Sequence, residues 1–499
     1  MPVGIFGPYS TVLPMFSALP PWVPKMEQER IASYQAYEEI YWNNPTGFKL
    51  LVRGTETLNP IYIPSARVII ETMNRYLGQG MDFVVDPTSG LPNDQAAATL
   101  AFTNLFVRER FRSKFASAKR FSLIRGDMVF HVTADDTKPQ GSRISINEVD
   151  PASYFPVYGD EAEPNRITKI HLAEQFVDNA GKMQVRRQTY DKDPVSGVIL
   201  SSLGIYDIDK WASGDGNAVQ VVRPPTPLPA GITTFPVYHF KNFDEGGNPY
   251  GSSEIRGFEK LMAGINQSMN DEDIALALEG LGLYSTDGGG PTDDDGNPTD
   301  WIIGPGRVVE NATNFKRVQG VGSVTPFQDH VKSLYSFMKE ASGTPDAAIG
   351  NIDVQTAESG VALALKLGPI LSKAKEKEQF LVDVLTQMFY DLKSWFAAYE
   401  ALTLPPEIIV HPVFGDPLPK NRKAEADLMV ALVVSKIVSS LSAREHLTKF
   451  GFAFAADEVS RIQQEQQLLT AATTPVDPFA ARTAAELAAA GAPPPALPA

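Results

Sequence analysis

The residues of this chain that could do chemistry are carboxylates, lysines and a few histidines, and their spacing gives little support to catalysis. Asp271, Glu272 and Asp273 stand in a row, with Glu279 further along the same stretch. Asp271 with Asp273 is the nearest approach to an acid/base pair. Two carboxylates two residues apart on a helix do not face each other, so the couple is poor. The run Asp293-Asp294-Asp295-Gly296-Asn297 suggests calcium, but its glycine falls too early and no glutamate closes the loop, so it reads as a solvated turn. Lys366, Lys373, Lys375 and Lys377 cluster with Glu376 and Glu378 among them. The pattern fits an ion-paired, solvated helix face, with phosphate contact as the functional alternative. The six histidines (131, 171, 239, 330, 411 and 446) are scattered singly, as core or surface histidines are. No Gly-x-x-x-x-Gly-Lys-Ser/Thr loop, His-Glu-x-x-His or Gly-x-Ser-x-Gly occurs. With no cysteine, thiolate metal sites, disulfides and cysteine nucleophiles are excluded, and an intracellular assembly site fits better than a secreted one.

The elements that must carry these residues change character along the chain. Residues 1–25 form an apolar, proline-rich arm without a basic leader, which reads as neither a signal peptide nor a membrane span. Ile31, Tyr34, Ile40 and Tyr41 mark a helix over 26–43, a second helix runs from Pro64-Ser65 to Gly78, and two more fit 93–120. Short β-rich runs follow at 127–133, 143–149, 167–176, 183–190 and 219–222, so 26–245 reads as helices first and strands after. A helix capped by Ser252 or Ser253 extends to about Gly280. An insert with short strands at 301–303, 307–310 and 315–318 comes next. Thr325 as N-cap, Pro326 at N1 and Gln328 then start a helix that Gly343 closes. After a small, polar loop, a long helix starts near Ser359, and Gly368-Pro369 interrupts and kinks it. Its aromatic stripe through Tyr399 is core or subunit interface rather than a base-stacking platform. A strand at 407–410, helices over 421–440 and after Ser442 (capped by Ser442 with Glu445), an amphipathic stretch over 457–469 and a disordered tail complete the chain.

The chain has 499 residues, 43% hydrophobic and 21% charged, which is enough apolar material for two or three cores. Its formal net charge is -15. That balance argues against gripping DNA phosphates, though not against a surface along which DNA slides. The expected fold class is α+β, mainly helical.

Several segments, in order, resemble the portal proteins of tailed bacteriophages. They are 30–37 with Asn43-Asn44-Pro45, 124–130, Asn147-Glu148-Val149-Asp150-Pro151, Tyr154-Phe155-Pro156-Val157, 235–240, Pro249-Tyr250-Gly251-Ser252-Ser253-Glu254-Ile255, Gly343-Thr344-Pro345 and 358–363. The resemblance covers roughly 25–470 and implies a portal fold with wing, stem, clip and crown. The wing would be 26–250 with 360–415, where Gly368 and Pro369 kink the long helix. Stem helices would be 252–284 and 325–342, the clip 285–324, the tunnel loop 343–359 and the crown 416–470, with a disordered tail at 471–499. It also implies a ring, normally of twelve copies, at one capsid vertex of the virion, assembled in the host cytoplasm. That ring would be a conduit for double-stranded DNA in packaging and ejection. Implied partners are the large terminase subunit, the scaffold and major capsid protein, and the head–tail adaptor, with no membrane, no cofactor, no metal and no catalysis.

On this reading Thr344, Asp346, Asn351, Asp353 and Gln355 of the tunnel loop face DNA. Asp271, Glu272, Asp273 and Glu279 are candidates for the stem lumen, and Asp293, Asp294, Asp295 and Trp301 of the clip face the adaptor. An acidic channel wall without deep phosphate-binding wells suits transit. An ordinary solvated helix would show the same acidity. The rival readings are another virion structural protein and, more remotely, an acidic multidomain hydrolase.

Overall fold

The computed structural model describes residues 25–48, 50, 60–159, 166–208, 220–281, 283–285, 287, 295–297, 314, 316–318, 325–350, 360–415, 417, 422–449, 452, 454 and 458–473. They belong to two compact units, 1–417 and 418–499. The fold is α+β, with more residues in helices than in antiparallel strands.

In the first unit, helix α1 spans Lys25–Tyr41, α2 Ser65–Tyr76, α3 Pro92–Glu109 and α4 Phe111–Arg125. Arg110, in the left-handed region at φ 51°, separates α3 from α4. Phenylalanines recurring at helical spacing in these two helices meet edge-on: Phe106 with Phe111 and with Phe389, and Phe102 with Phe389 and with Phe396. Each such pair adds about 0.5–1.5 kcal/mol to plain burial. They tie α3 and α4 to the long helix described below.

Three antiparallel sheets follow. β1 (Asp82–Val85) pairs with β12 (Val410–Val413), Phe83 opposite Pro412. β3 (Ile144–Val149), β2 (Asp127–Ala134) and β9 (Val237–Lys241) form a three-stranded sheet in that order. The third is a meander of β4 (Tyr154–Tyr158), β5 (Ile167–Val177), β6 (Met183–Lys192), β7 (Ile199–Asp207) and β8 (Gln220–Pro227). Between these last two sheets lies a core of Val129, Val149, Tyr154, Ile170, Leu172, Tyr190 and Ile199. β8 is exposed throughout. Its Pro224, Pro225 and Pro227 lack N–H donors, which suits an edge strand and discourages further pairing.

Helix α5 (Glu259–Leu281) packs on α6 (Thr325–Ser342), and between them β10 (Leu283–Ser285) pairs antiparallel with β11 (Lys316–Val318). Helix α7 runs through Gly360–Tyr399. In the second unit lie α8 (Arg422–Val434), α9 (Ser440–Lys449) and α10 (Glu458–Thr473).

The structure corrects the sequence reading at several points. α5 starts at Glu259, not at Ser252 or Ser253. The Ser253 hydroxyl instead accepts from the Ile255 N–H at 3.0 Å, closing a turn before the helix. α7 is one continuous helix through Gly368 and Pro369 rather than an interrupted one. Proline deprives the Leu365 carbonyl of its helical donor, but Leu365 is 75% exposed, so water can serve that carbonyl. The last strand lies at 410–413 rather than 407–410, because Pro405-Pro406 forces a turn in which the Ile408 N–H bonds the Pro405 carbonyl. α8 ends at Val434, well short of Ser440, with Lys436 left-handed just beyond. Ser439, not Ser442, caps α9, its hydroxyl accepting from the Ser442 N–H. β1, β4, β7, β9 and β10 were not expected as strands. The expected strands at 301–303 and 307–310 lie outside the described residues.

Candidate functional site

Five stretches that carry the resemblance, far apart in the chain, contribute to one buried polar centre in the first unit: 30–37, 124–130, 147–157, 235–240 and 249–255. Its foundation is a backbone contact. A Cβ on Gly126, where φ is +106°, would sit 2.6 Å from the Gly251 carbonyl oxygen, and a Cβ on Gly251 would collide with the Gly126 carbonyl. Only glycine at both positions lets these two loops touch. The Asn242 N–H then donates to the Gly126 carbonyl at 2.7 Å.

Beside this crossing lies the fully buried Asp127. It accepts from the Gly251 N–H at 2.8 Å, from the Tyr34 hydroxyl, and stands 2.6 Å from His239 Nε2. Arg30 of α1 donates to the carbonyls of Pro151 and Tyr154, pairs with Glu27 and lies 4.2 Å from the centroid of the Tyr250 ring. The Tyr250 hydroxyl donates to Glu27 at 2.7 Å. Burial first, and the neighbouring Glu27 carboxylate with it, raises Tyr250 well above the usual phenol range despite Arg30. Arg125, wholly buried, pairs with both Glu38 and Asp150. Every charge taken from water here has a partner, as burial requires.

A second knot joins the loop before α5 to the long helix. Glu254, with 3% of its side chain exposed, pairs with Lys377 and, at 2.6 Å, with Lys373. Burial pushes its carboxyl up, but Lys377 and then Lys373 outweigh that and bring it down to about 2. Lys377 also donates to the Asn242 side-chain oxygen at 2.8 Å. Lys373 reaches further, donating to the Ser342 carbonyl in the last turn of α6 at 3.0 Å. One ammonium thus ties three pieces together: the turn that leads into α5, the end of α6, and α7.

α5 has its own attachment. Asn266 and Asn270, one turn apart, accept from the backbone N–H groups of Ile63 and Ile61 at 2.7 Å, and Asn270 donates back to the Ile61 carbonyl at 2.8 Å. These amides act as a short imitation ladder against an extended segment. The helix carries five acidic residues and one lysine in its sequence.

The expected site residues fall out as follows. Asp271 and Asp273 are half-buried, Glu272 is buried at 8% exposure, and Glu279 lies on α5 with its side chain outside the described residues. Thr344 is buried at 3% in the single chain and its N–H bonds the Lys339 carbonyl. Asp346 is largely exposed and pairs with Lys339 at 2.5 Å. It begins a 3-10 turn, Asp346–Ile349, within what was expected to be irregular loop. Asp295 is exposed. Asp293, Asp294, Trp301, Asn351, Asp353 and Gln355 lie outside the described residues. Of the lysine cluster, Lys373 and Lys377 are committed to Glu254 and are not a phosphate-binding patch. Glu254 and Asp127, the two carboxylates around which the site is built, were not singled out beforehand.

Among the described residues no group of His, Cys, Asp or Glu could hold a metal ion, and no helix is long and apolar enough to cross a membrane. No family model matches the chain, and no curated protein does. Among solved structures it is similar to one described as the neck of an empty GTA particle computed with C6 symmetry. The identity there is 13% and the TM-score 0.42, over 86% of this chain and 95% of that one. A likeness of that strength carries no argument about function.

Proposed function

We propose that the chain is a portal subunit, one member of a closed ring at a capsid vertex through which double-stranded DNA passes during packaging and ejection. One observation carries the reading: a helix–ribbon–helix hairpin, α5 and α6, is fastened to the long helix α7 through the Glu254–Lys373–Lys377 knot. A ring that transmits DNA needs a wall around the channel and a rigid joint that fixes the wall to the outer body. The hairpin supplies the wall and the knot supplies the joint.

The acidity of α5 supports the same role. Each phosphate captured by a cation would add to the barrier against sliding, whereas carboxylates repel the backbone weakly and evenly. On this proposal the outer body is the wing, the β10–β11 ribbon belongs to the clip that meets the head–tail adaptor, and the 3-10 turn at Asp346 starts the loop nearest DNA. α8, α9 and α10 form the crown. The terminase docks on the ring, scaffold and capsid protein surround it, and the chain performs no catalysis of its own.

Native mass measurement with negative-stain imaging of the purified full chain tests the proposal. Rings with an axial hole, at about twelve copies, are expected. A chain that stays monomeric or dimeric even with its scaffold present sinks it.

A further inference from the structure

Asn242, just beyond β9, and Lys377, in the middle of α7, stand 135 residues apart in the chain and meet in the core. Lys377 is 2% exposed and Asn242 5%. The Lys377 Nζ lies 2.8 Å from the Asn242 Oδ1, so the amide carbon is one bond away from the atom it already touches. Glu254 reaches both partners through one oxygen. Its Oε1 pairs with the Lys377 Nζ and accepts from the Asn242 Nδ2 at 3.4 Å. A buried amine, an amide carbon and a carboxylate in contact with both the attacking and the leaving nitrogen are the parts of an acyl transfer.

The surroundings favour reaction. Glu254 faces two ammoniums, and Glu376, next to Lys377 in the chain, is exposed. Burial lowers Lys377 to about 8 against the pull of Glu254, which leaves roughly a tenth of it as free amine at neutral pH. Glu254, raised by burial but brought down by Lys377 and then Lys373 to about 2, is ionised and able to accept a proton. Asn242 is held in place. Its N–H donates to the Gly126 carbonyl at 2.7 Å and its Nδ2 to the Ser252 carbonyl at 2.9 Å. Burial also keeps water, the competing nucleophile, from the amide.

We infer that Lys377 and Asn242 join in a self-catalysed isopeptide bond, with Glu254 as the proton carrier. The Lys377 nitrogen lone pair attacks the Asn242 Cγ, and the carbonyl electron pair moves onto Oδ1. Glu254 takes a proton from the attacking nitrogen and hands it to Nδ2. When the carbonyl re-forms, the Cγ–Nδ2 bond breaks and its electron pair leaves with ammonia. One amide replaces another, so the step needs neither oxidant nor reductant. It removes the more deeply buried of the two cations, and Lys373, at 2.6 Å, still partners Glu254 afterwards. The ion pair described above is the reactant state. The inference goes beyond the portal reading and stands without it.

Mass spectrometry of the purified full-length chain, aged for days at neutral pH, tests it. The intact mass is expected to fall about 17 Da below that of the sequence as ammonia leaves, and proteolysis to yield a branched peptide joining Asn242 to Lys377. Linear peptides carrying both side chains unmodified would overturn the inference, and so would loss of ammonia with no branched peptide. The parent chain decides this even where a variant misfolds. Glu254→Gln keeps both reacting side chains and should slow bond formation by about a hundredfold or more, while Lys377→Met should retain the full mass. Equal crosslinking in a Glu254→Gln chain whose circular dichroism matches the parent would overturn the part given to Glu254.

Discussion

Lys377→Met isolates the joint between the helical hairpin and the body. The substitution keeps an unbranched apolar stem beside Phe243, which the ammonium faces at 4.5 Å from the ring centroid. It removes the cation that pairs with Glu254 and donates to Asn242 at 2.8 Å and 3.2 Å. Glu254 then keeps Lys373, at 2.6 Å, as its one cation, with the Asn242 amide at 3.4 Å, in a site where 3% of its side chain is exposed. Breaking a buried pair from one side costs about 3–5 kcal/mol. With Lys373 still in place the lower end, about 3 kcal/mol, is expected. Glu254→Gln added to Lys377→Met neutralises the stranded carboxylate, so the double variant should be more stable than Lys377→Met alone by about 1 kcal/mol or more. Urea denaturation at neutral pH, followed by tryptophan fluorescence, reads both differences. A Lys377→Met penalty below about 1 kcal/mol, or simple additivity of the two substitutions, would refute the reasoning.

Other outcomes follow from the same geometry. Gly251→Ala puts a methyl group against the Gly126 carbonyl and 2.9 Å from the Asn242 nitrogen, so thermal melting should show a loss of about 1–3 kcal/mol or more. Burial raises Glu148 to about 7 from the usual carboxylate value. A raised folded-state value means stability that is full below about 4.5 and falls as pH climbs through about 7, and Glu148→Gln should abolish that fall in melts taken across the range. Joint replacement of Asn266 and Asn270 by alanine should speed hydrogen exchange at Ile61 and Ile63, whose N–H groups these side chains hold, with unchanged exchange in β2. Asp346→Asn loses the pair with Lys339 on an exposed loop, so ring assembly by native mass should persist while DNA packaging falls.

Much of the body was legible in the sequence because one-dimensional patterns report it. Leu105, Phe106, Phe111 and Phe115 are spaced as a buried helical face would be and are buried, and the runs at 127–133 and 167–176 announced strands, each within one residue of its observed ends. The site was less legible for a physical reason. Lys373 and Lys377, one turn apart, visibly share a helix face, but their partner Glu254 lies more than a hundred residues earlier. Chain spacing could not tell a buried ion pair from a solvated face. Ser252 and Ser253 looked like helix caps because capping chemistry is local, whereas burial of Glu254 by α7 is tertiary and moved the start of α5 to Glu259. Asp127 gave no signal of its own, since its partners Tyr34, His239 and Gly251 meet only in the folded chain.

The most direct measurement of the central claim is a cryo-electron microscopy reconstruction of the assembled full-length chain. The account predicts a closed ring whose axial channel is walled by the α5–α6 hairpins, with the turn at Asp346 nearest the axis and α7 behind it. A ring with these helices on its outer circumference, or an assembly with no axial channel, would contradict it.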